Sequence, residues 1–156
     1  GDKRRIVITQ NDIRQIQLAK AALYAGIKLL MEKMNITSLD KIKLAGAFGS
    51  HISVKHAMIL GLIPDCDLKN VSSIGNAAET GARIALLNQN DRKTIEDVVL
   101  KIEKIESATA EKFQEHFVDA MAFPNKVDSF PLLFDFVDRP AEKVMKKLSR
   151  TRSRRN

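Results

Sequence analysis

The sequence predicts an α/β domain with a mixed, partly parallel sheet flanked by helices. Short runs with strand character alternate with amphipathic helical segments, and the connections between them are short, which is typical of such folds. The 156 residues suffice for one domain, and 44% hydrophobic with 29% charged residues is a globular composition. The single cysteine, Cys66, excludes a disulfide framework and any zinc site or cluster built from thiolates of this chain alone.

The first predicted element is a helix of about 25 residues that begins after Thr9. Thr9 and Asp12 have the spacing of a capping box, and Ile8 and Ile13 that of a hydrophobic staple. Asn35 is the expected stop, because asparagine tolerates the left-handed conformation that ends helices. The buried face is expected to carry an apolar stripe that only Lys20 interrupts: Ile13, Ile16, Leu23, Ile27, Leu30 and Met34.

Two strands, each followed by a helix, come next. Residues 41–45 form an alternating run that ends at the glycine-containing segment 46–50, after which Ser50 or Ser53 caps a helix that Pro64 closes. A second strand is predicted over residues 71–74. Behind it, Gly75 and Asn76 turn into a helix at residues 77–87.

The remaining part of the chain predicts a third strand, a last helix and an extension. Asp91 is expected to cap one or two helical turns before a strand at residues 98–103, and the last helix carries Phe113 and Phe117 on one face. The predicted organisation is a domain at residues 1–124, a proline-interrupted apolar extension at 125–148 and a basic disordered tail at 149–156. The apolar run at residues 130–137 either covers an open face of the domain or forms a docking surface for a partner.

The positive charge is concentrated at the carboxyl end. The net charge is +7, and residues 139–156 hold eight lysines or arginines against one acid. Residues 1–138 are therefore neutral, and composition gives the body of the protein no basic face.

The end of the first strand is the most informative candidate site. Open α/β sheets bind ligands at the carboxyl ends of their strands, and glycines there let the backbone approach a ligand closely. The candidate residues are Gly46, Ala47, Phe48, Gly49 and Ser50. A plain turn is the alternative interpretation of this segment.

The helix at residues 77–87 carries a stripe of small side chains. Gly81 inside a helix costs about 0.5–1 kcal/mol relative to alanine, which is best explained where another backbone approaches closely. The stripe is either an interdomain surface or a tight contact with the sheet of this domain. Its residues are Ala78, Gly81, Ala82 and Ala85.

The acids and histidines indicate no catalytic residue and no metal site. Four carboxylates in loops or first turns are expected to be caps or solvated groups: Asp12, Asp65, Asp67 and Glu79. His51 and His56 are five residues apart, which is not the spacing that places two ligands on one helical face, and His116 is remote in sequence. His51 is the histidine near the candidate site.

These segments together resemble the second half of an actin-like ATPase, a superfamily with two ribonuclease H-like halves and ATP between them. Residues 44–49 resemble its adenosine motif, and residues 74–82 its second connecting motif at the interdomain hinge. Gln17 and Lys20 stand where heat-shock ATPases carry an acid and a lysine against the adenosine. The resemblance therefore implies that residues 46–50, Gln17 and Lys20 bind the nucleotide and that the small-residue stripe packs at the hinge.

A narrower resemblance is to the carboxyl-terminal domain of reductive activators of corrinoid proteins. It runs from about residue 6 to residue 124 and is specific in residues 8–22, in the Gly-Ala-Phe-Gly-Ser turn and in residues 113–124. It implies an activator that uses ATP, with Mg in the full-length protein, and an iron–sulfur cluster to return a Co(II) corrinoid to Co(I) for methyl transfer. In the family the cluster domain lies upstream, so this chain is expected to supply adenosine contacts and hinge packing without catalysing the reaction alone.

Two other classes of function stay open at this point. One is a non-catalytic module that docks a corrinoid protein or a second copy of itself. The other is a nucleic-acid binder through the basic tail, which the neutral body, one tyrosine and no tryptophan disfavour. The expected partners are the corrinoid protein and the upstream domains, with a homodimer as an option and without nucleic acid or membrane. The expected location is the cytoplasm.

Overall fold

A computed structural model of the chain describes residues 6–107 and 109–139. No helix of this part has both the length and the apolar character that a membrane span requires. The predicted tail and residues 140–148 of the predicted extension lie outside the described residues. The elements, in chain order, are α1 (Gln10–Lys33), β1 (Ile42–Ala45), α2 (Gly46–His51), α3 (Val54–Ile59), β2 (Val71–Gly75), α4 (Ala77–Leu87), α5 (Gln89–Val99), α6 (Phe113–Asp119) and α7 (Pro131–Phe134).

The two strands form a parallel pair, which confirms the α/β class. Ile42 is aligned with Val71, and Ala45 with Gly75, with an irregularity in the register between Leu44 and Ala45. The sheet of the described residues has these two strands only. Because parallel strands end at the same edge, the two strand ends and the helices that follow them lie side by side.

The ends of α1 are those that the sequence predicts. The Thr9 side chain accepts a hydrogen bond from the backbone N–H of Asp12, and the Asp12 carboxylate accepts one from the backbone N–H of Thr9, at 2.8 Å. The bond from the Thr9 backbone N–H, together with one that the Thr9 hydroxyl donates at 2.7 Å, holds the pKa of the Asp12 carboxyl below its usual value. Asn35 has φ 55° just after the helix, as expected of a residue that stops it.

The predicted buried face of α1 is wrong. Lys20 is fully buried and Ile27 is half-buried, whereas the other residues of the predicted stripe are exposed, from 37% for Ile13 to 67% for Met34. The core side of the helix is formed instead by Lys20, Ala21, Tyr24, Ala25 and Met31. The reason is that two alanines allow a close approach of the chain, and Lys20 and Tyr24 find hydrogen-bond partners in a distant segment.

The predicted strand at residues 98–103 is also wrong, because α5 continues through Val99. The Asn88 side chain caps this helix by accepting from the backbone N–H groups of Asn90 and Asp91. Asp91 is therefore not the cap, although its carboxylate accepts a hydrogen bond from Asn88 Nδ2 at 2.6 Å. Ile95, Val98 and Val99 have the i, i+3, i+4 spacing of one helical face, a signal that outweighs their strand propensity.

The apolar run after the last proline-rich turn packs against the same chain. Phe130 and Leu133 are buried in a core that also contains Tyr24, Met58 and Ala120. Asp65 accepts hydrogen bonds at 2.9 Å from the backbone N–H groups of Leu132 and Leu133 at the start of α7. The division at residue 124 stays a prediction, because residues on both sides of it share this core.

Candidate functional site

The carboxyl ends of both strands turn at a glycine of positive φ. Gly46 (φ 88°) follows β1 directly, and Gly75 (φ 69°), aligned with Ala45, ends β2. At both glycines a Cβ atom would have no heavy atom within 4 Å. This backbone conformation favours glycine, and the space beside each glycine is free for an adjacent group.

No loop separates β1 from α2, because the helix begins at Gly46, directly after the last residue of the strand. Gly49 lies against β1, where an added Cβ would be only 2.9 Å from the carbonyl carbon of Leu44. The Ser50 hydroxyl donates to the Gly46 carbonyl oxygen at 3.0 Å. Ala47 is exposed, and the Phe48 side chain lies outside the described part. The close contact of Gly49 with β1 thus fixes the turn against the strand. Ala47 is exposed, and the space beside Gly46 is open.

An apolar cavity of about 230 Å³ lies behind this turn. It lies between β1, α1 and the segment that contains α3. Its lining is mostly aliphatic and is contributed by Leu23, Lys43, Leu44, Ala45, Gly49, Ile52, Ala57, Leu62 and Ile63. The position of α1 therefore affects the same space that backs Ala45 and Gly49.

The small-residue stripe of α4 lies at the surface of the chain. Ala78 and Ala82 are exposed, Gly81 and Ala85 are half-buried, and a Cβ at Gly81 would meet nothing within 4 Å. Asn76 caps the helix by accepting from the backbone N–H of Glu79 at 3.2 Å. No part of the described chain therefore requires a glycine at position 81 for close packing.

Gln17 and Lys20 are bonded to a distant segment and not to the β1–α2 turn. Gln17 Nε2 donates to the Met121 carbonyl oxygen at 3.0 Å. Lys20 Nζ donates to the carbonyl oxygens of Ala122 and, at 2.7 Å, Pro124, and lies 5.0 Å from the centre of the Phe123 ring. Among residues 6–107 and 109–139, no carboxylate pairs with this ammonium group.

The same face of α1 binds the next part of that segment. Tyr24 Oη donates to Asp128 Oδ2 at 2.8 Å, and Lys28 pairs with the Asp128 carboxylate at 3.1 Å. Burial, together with the hydrogen bond to Asp128, raises the pKa of the Tyr24 phenol. Residues at positions 17, 20, 24 and 28 thus form a polar row along one side of the helix.

Replacing Lys20 with methionine is expected to lower the free energy of unfolding by about 1–3 kcal/mol near neutral pH, because two partly buried carbonyl oxygens lose their donor. Burial lowers the pKa of Lys20 from 10.5 to about 8. Between these values the unfolded chain binds the proton that the folded chain has released, so Lys20 adds stability as the pH rises from about 8 to 10.5. Urea unfolding of both proteins at several pH values measures this.

The difference between wild type and Lys20→Met is the informative quantity. The raised pKa of Cys66, caused by burial, and that of Tyr24 act in the opposite direction at alkaline pH, but both groups are present in both proteins. The difference should widen between pH 8 and 10. A difference that is constant over this range would show that Lys20 keeps its ordinary pKa in the folded protein.

The other candidate polar groups have structural roles or lie apart. Asp12, Asp65 and Asp67 accept backbone hydrogen bonds at helix starts, as predicted, and Glu79 accepts from Asn76 Nδ2 at 3.2 Å. His51 ends α2 and is exposed. In the described ranges, no three histidine, cysteine or acidic side chains are grouped in a way that fits a metal ion.

A family model described as the C-terminal domain of RACo, the ASKHA domain, matches residues 1–134. The chain belongs to this family. The resemblance to reductive activators of corrinoid proteins is thereby confirmed, and with it the assignment to a carboxyl-terminal domain.

Relatives of this RACo-type domain carry consistent names. RamQ of Eubacterium limosum, a corrinoid activation enzyme, is 41% identical over 124 residues, which is 78% of this chain and 21% of RamQ. A solved structure of a reductive activator for corrinoid, iron-sulfur protein has a TM-score of 0.70 and 32% identity, over 80% of this chain and 20% of that one. The domain thus spans about a fifth of the length of these relatives.

Proposed function

We propose that this domain forms one wall of an ATP site in a reductive activator of corrinoid proteins. Gly46, Ala47, Phe48, Gly49 and Ser50 are the residues that we expect to lie against the adenosine. The observation that carries this proposal is the pair of positive-φ glycines, Gly46 and Gly75, at the adjacent ends of two parallel strands. Sites for nucleotides form at such strand ends because backbone without side chains lets the ligand approach.

The residues present fit an adenosine better than a triphosphate. The free space beside Gly46 and Gly75 and the small, exposed Ala47 leave room for a purine ring or a ribose to approach the backbone. In the described part of the chain, no three histidine, cysteine, aspartate or glutamate side chains are grouped in a way that fits a metal ion. We therefore assign the phosphate and Mg contacts to other parts of the full-length protein.

The activity that we propose for the full-length protein is the ATP-dependent return of a Co(II) corrinoid to Co(I), in the cytoplasm. The names of the relatives, a corrinoid activation enzyme and a reductive activator for a corrinoid, iron-sulfur protein, support this substrate class. ATP supplies the free energy for an unfavourable electron transfer. The electron would come from an iron–sulfur cluster outside this chain, since one cysteine is too few for a cluster.

We further propose that α4 is the surface on which the other half of the ATPase packs. The helix exposes apolar side chains, among them Ile84 at 43% and Leu87 at 79%, and its small residues leave room for a second helix. Exposed apolar surface of this kind is typical of contacts between domains or proteins. Ala78, Gly81, Ala82 and Ala85 are the residues expected at this hinge.

Binding of ATP to the isolated domain and to the full-length protein, measured by calorimetry, tests the proposal. Half of a cleft surrounds only part of the ligand, so the isolated domain should bind ATP weakly or undetectably and hydrolyse none. The full-length protein should bind ATP and need it to form Co(I). The isolated domain should contain no iron. Equal ATP affinity of both proteins would contradict a site shared between two halves.

A further inference from the structure

Lys20 is buried in the core although the resemblance to heat-shock ATPases places its counterpart against the adenosine. Its ammonium group has three neighbours in one segment: the carbonyl oxygens of Ala122 and Pro124 and the ring of Phe123. The side chain is 0% exposed. A group that is fully enclosed and already bonded in this way has no free surface with which to meet a nucleotide.

The carbonyl group that Lys20 holds is in contact with the end of α3. Gly61 has φ 70°, and a Cβ atom at this position would clash with the Pro124 carbonyl oxygen. The backbones of residues 61 and 124 therefore touch. Leu62 and Ile63, which follow Gly61 directly, line the cavity behind the β1–α2 turn.

The same cavity is bounded on its other side by α1, through Leu23. These contacts form a closed path. Lys20 bonds Pro124, and Pro124 touches Gly61. Residues 62–63 then lead to the cavity, whose lining returns to α1 at Leu23. The lining of the cavity also includes Ala45, which directly precedes the candidate adenosine turn, and Gly49, which belongs to it. A shift of α1 relative to Pro124 would change the space behind that turn.

We propose that Lys20, assisted by Gln17, is a positioning residue of the nucleotide site and not a nucleotide ligand. By fixing α1 to residues 121–124 it holds the cavity behind Ala45 and Gly49 at one size, and so holds the β1–α2 turn in place. The effect on the nucleotide rests on the function proposed above. The effect on the turn itself does not.

The first test is amide hydrogen exchange of the full-length protein without nucleotide. Lys20→Met should speed exchange of residues 44–50 by about tenfold, and Gln17→Ala by about threefold, because each lost hydrogen bond removes about 0.5–1.5 kcal/mol. Lys28→Met is the matched control. It removes a lysine from the same face of α1 that bonds Asp128 and not residues 121–124, and exchange at residues 44–50 should stay unchanged.

The second test compares ATP with deoxy-ATP in the same proteins. A lysine that touches the ribose would, when replaced, abolish the preference for one of these nucleotides. Replacing a positioning residue should weaken the affinity for ATP and for deoxy-ATP by the same factor, again about tenfold for Lys20→Met. If Lys20→Met does not fold, Gln17→Ala carries both comparisons, because Gln17 was expected to contact the same adenosine.

Two results would overturn this assignment. One is unchanged exchange at residues 44–50 in Lys20→Met and Gln17→Ala. The other is loss of the discrimination between the two nucleotides in either variant, which would make the residue a ligand. If the wild-type protein binds no ATP at all, the proposed function fails, but the exchange experiment still decides whether Lys20 fixes the turn.

Discussion

Gly81→Leu is expected to disrupt the full-length protein while leaving this domain folded on its own. In the isolated domain a side chain at position 81 enters free space, and replacing glycine inside a helix should raise the free energy of unfolding by up to about 1 kcal/mol. In the full-length protein the same leucine would occupy the space of the helix that we propose to pack on α4. Overpacking of this kind costs about 1–3 kcal/mol, which should abolish most ATP-dependent formation of Co(I).

Thermal unfolding of both proteins, with and without the substitution, measures this effect. Lys93→Leu is the control, because it adds a leucine at an exposed position of the neighbouring helix α5 and leaves the residues of the small-residue stripe unchanged. Loss of stability in the isolated domain would place the stripe in contact with its own chain. If Gly81→Leu leaves the thermal stability of the full-length protein unchanged but abolishes its self-association, α4 would be a dimer surface instead.

Ala47→Leu is expected to lower the ATP affinity of the full-length protein by a factor of a hundred or more, since a larger side chain at the proposed adenosine site would prevent the nucleotide from binding. Ala47 is exposed and helical, so leucine is accommodated without strain in the protein itself. Gly46 is a poorer position for this test, because any side chain there would be strained at φ 88°. ATP-dependent formation of Co(I), followed by the absorbance of the corrinoid, is the readout.

The control for this substitution is Lys55→Leu, which places a leucine at an exposed helical position of α3. Its activity and ATP affinity should match the wild type. Full activity of Ala47→Leu at ordinary ATP concentrations would place the adenosine elsewhere. A lower melting temperature of the isolated Ala47→Leu domain would show that the side chain disturbs the fold and not the ligand.

Local signals in the sequence predicted most of the elements that form the site. The capping box of Thr9 and Asp12 and the stop at Asn35 each depend on neighbouring residues, and both features are present as expected. The two predicted strands are short runs followed by glycines, and both form. These features are predictable because their energies arise within a few residues of the chain.

The buried face of α1 could not be predicted in the same way. A stripe of isoleucine and leucine normally faces the core, but the partners of this helix are the carbonyl groups of residues 121–124, about a hundred positions away. Lys20 is buried because those carbonyl groups satisfy its ammonium group. No residue near Lys20 in the sequence indicates that these carbonyl groups will be its partners. The lone lysine within an apolar stripe was the signal, and it was interpreted as an interruption.

The role of the exposed apolar faces could not be predicted from the sequence either. Among the described residues, α1 and α4 keep apolar side chains that are only partly covered, such as Leu23 at 48% and Leu87 at 79% exposed. A domain of about a fifth of the length of its relatives is expected to expose such surfaces. Hydrophobic periodicity identifies these faces, but it does not distinguish a core from a domain interface.

Photolabelling of the full-length protein with azido-ATP is the most direct test of the adenosine site. Trypsin cleaves after Lys43 and Lys55, so residues 44–55 form one peptide that contains the whole β1–α2 turn. We expect the label in this peptide, and we expect excess ATP to prevent it. ATP-sensitive label that is absent from residues 44–55 and present elsewhere in the protein would contradict the assignment of this domain as a wall of the nucleotide site.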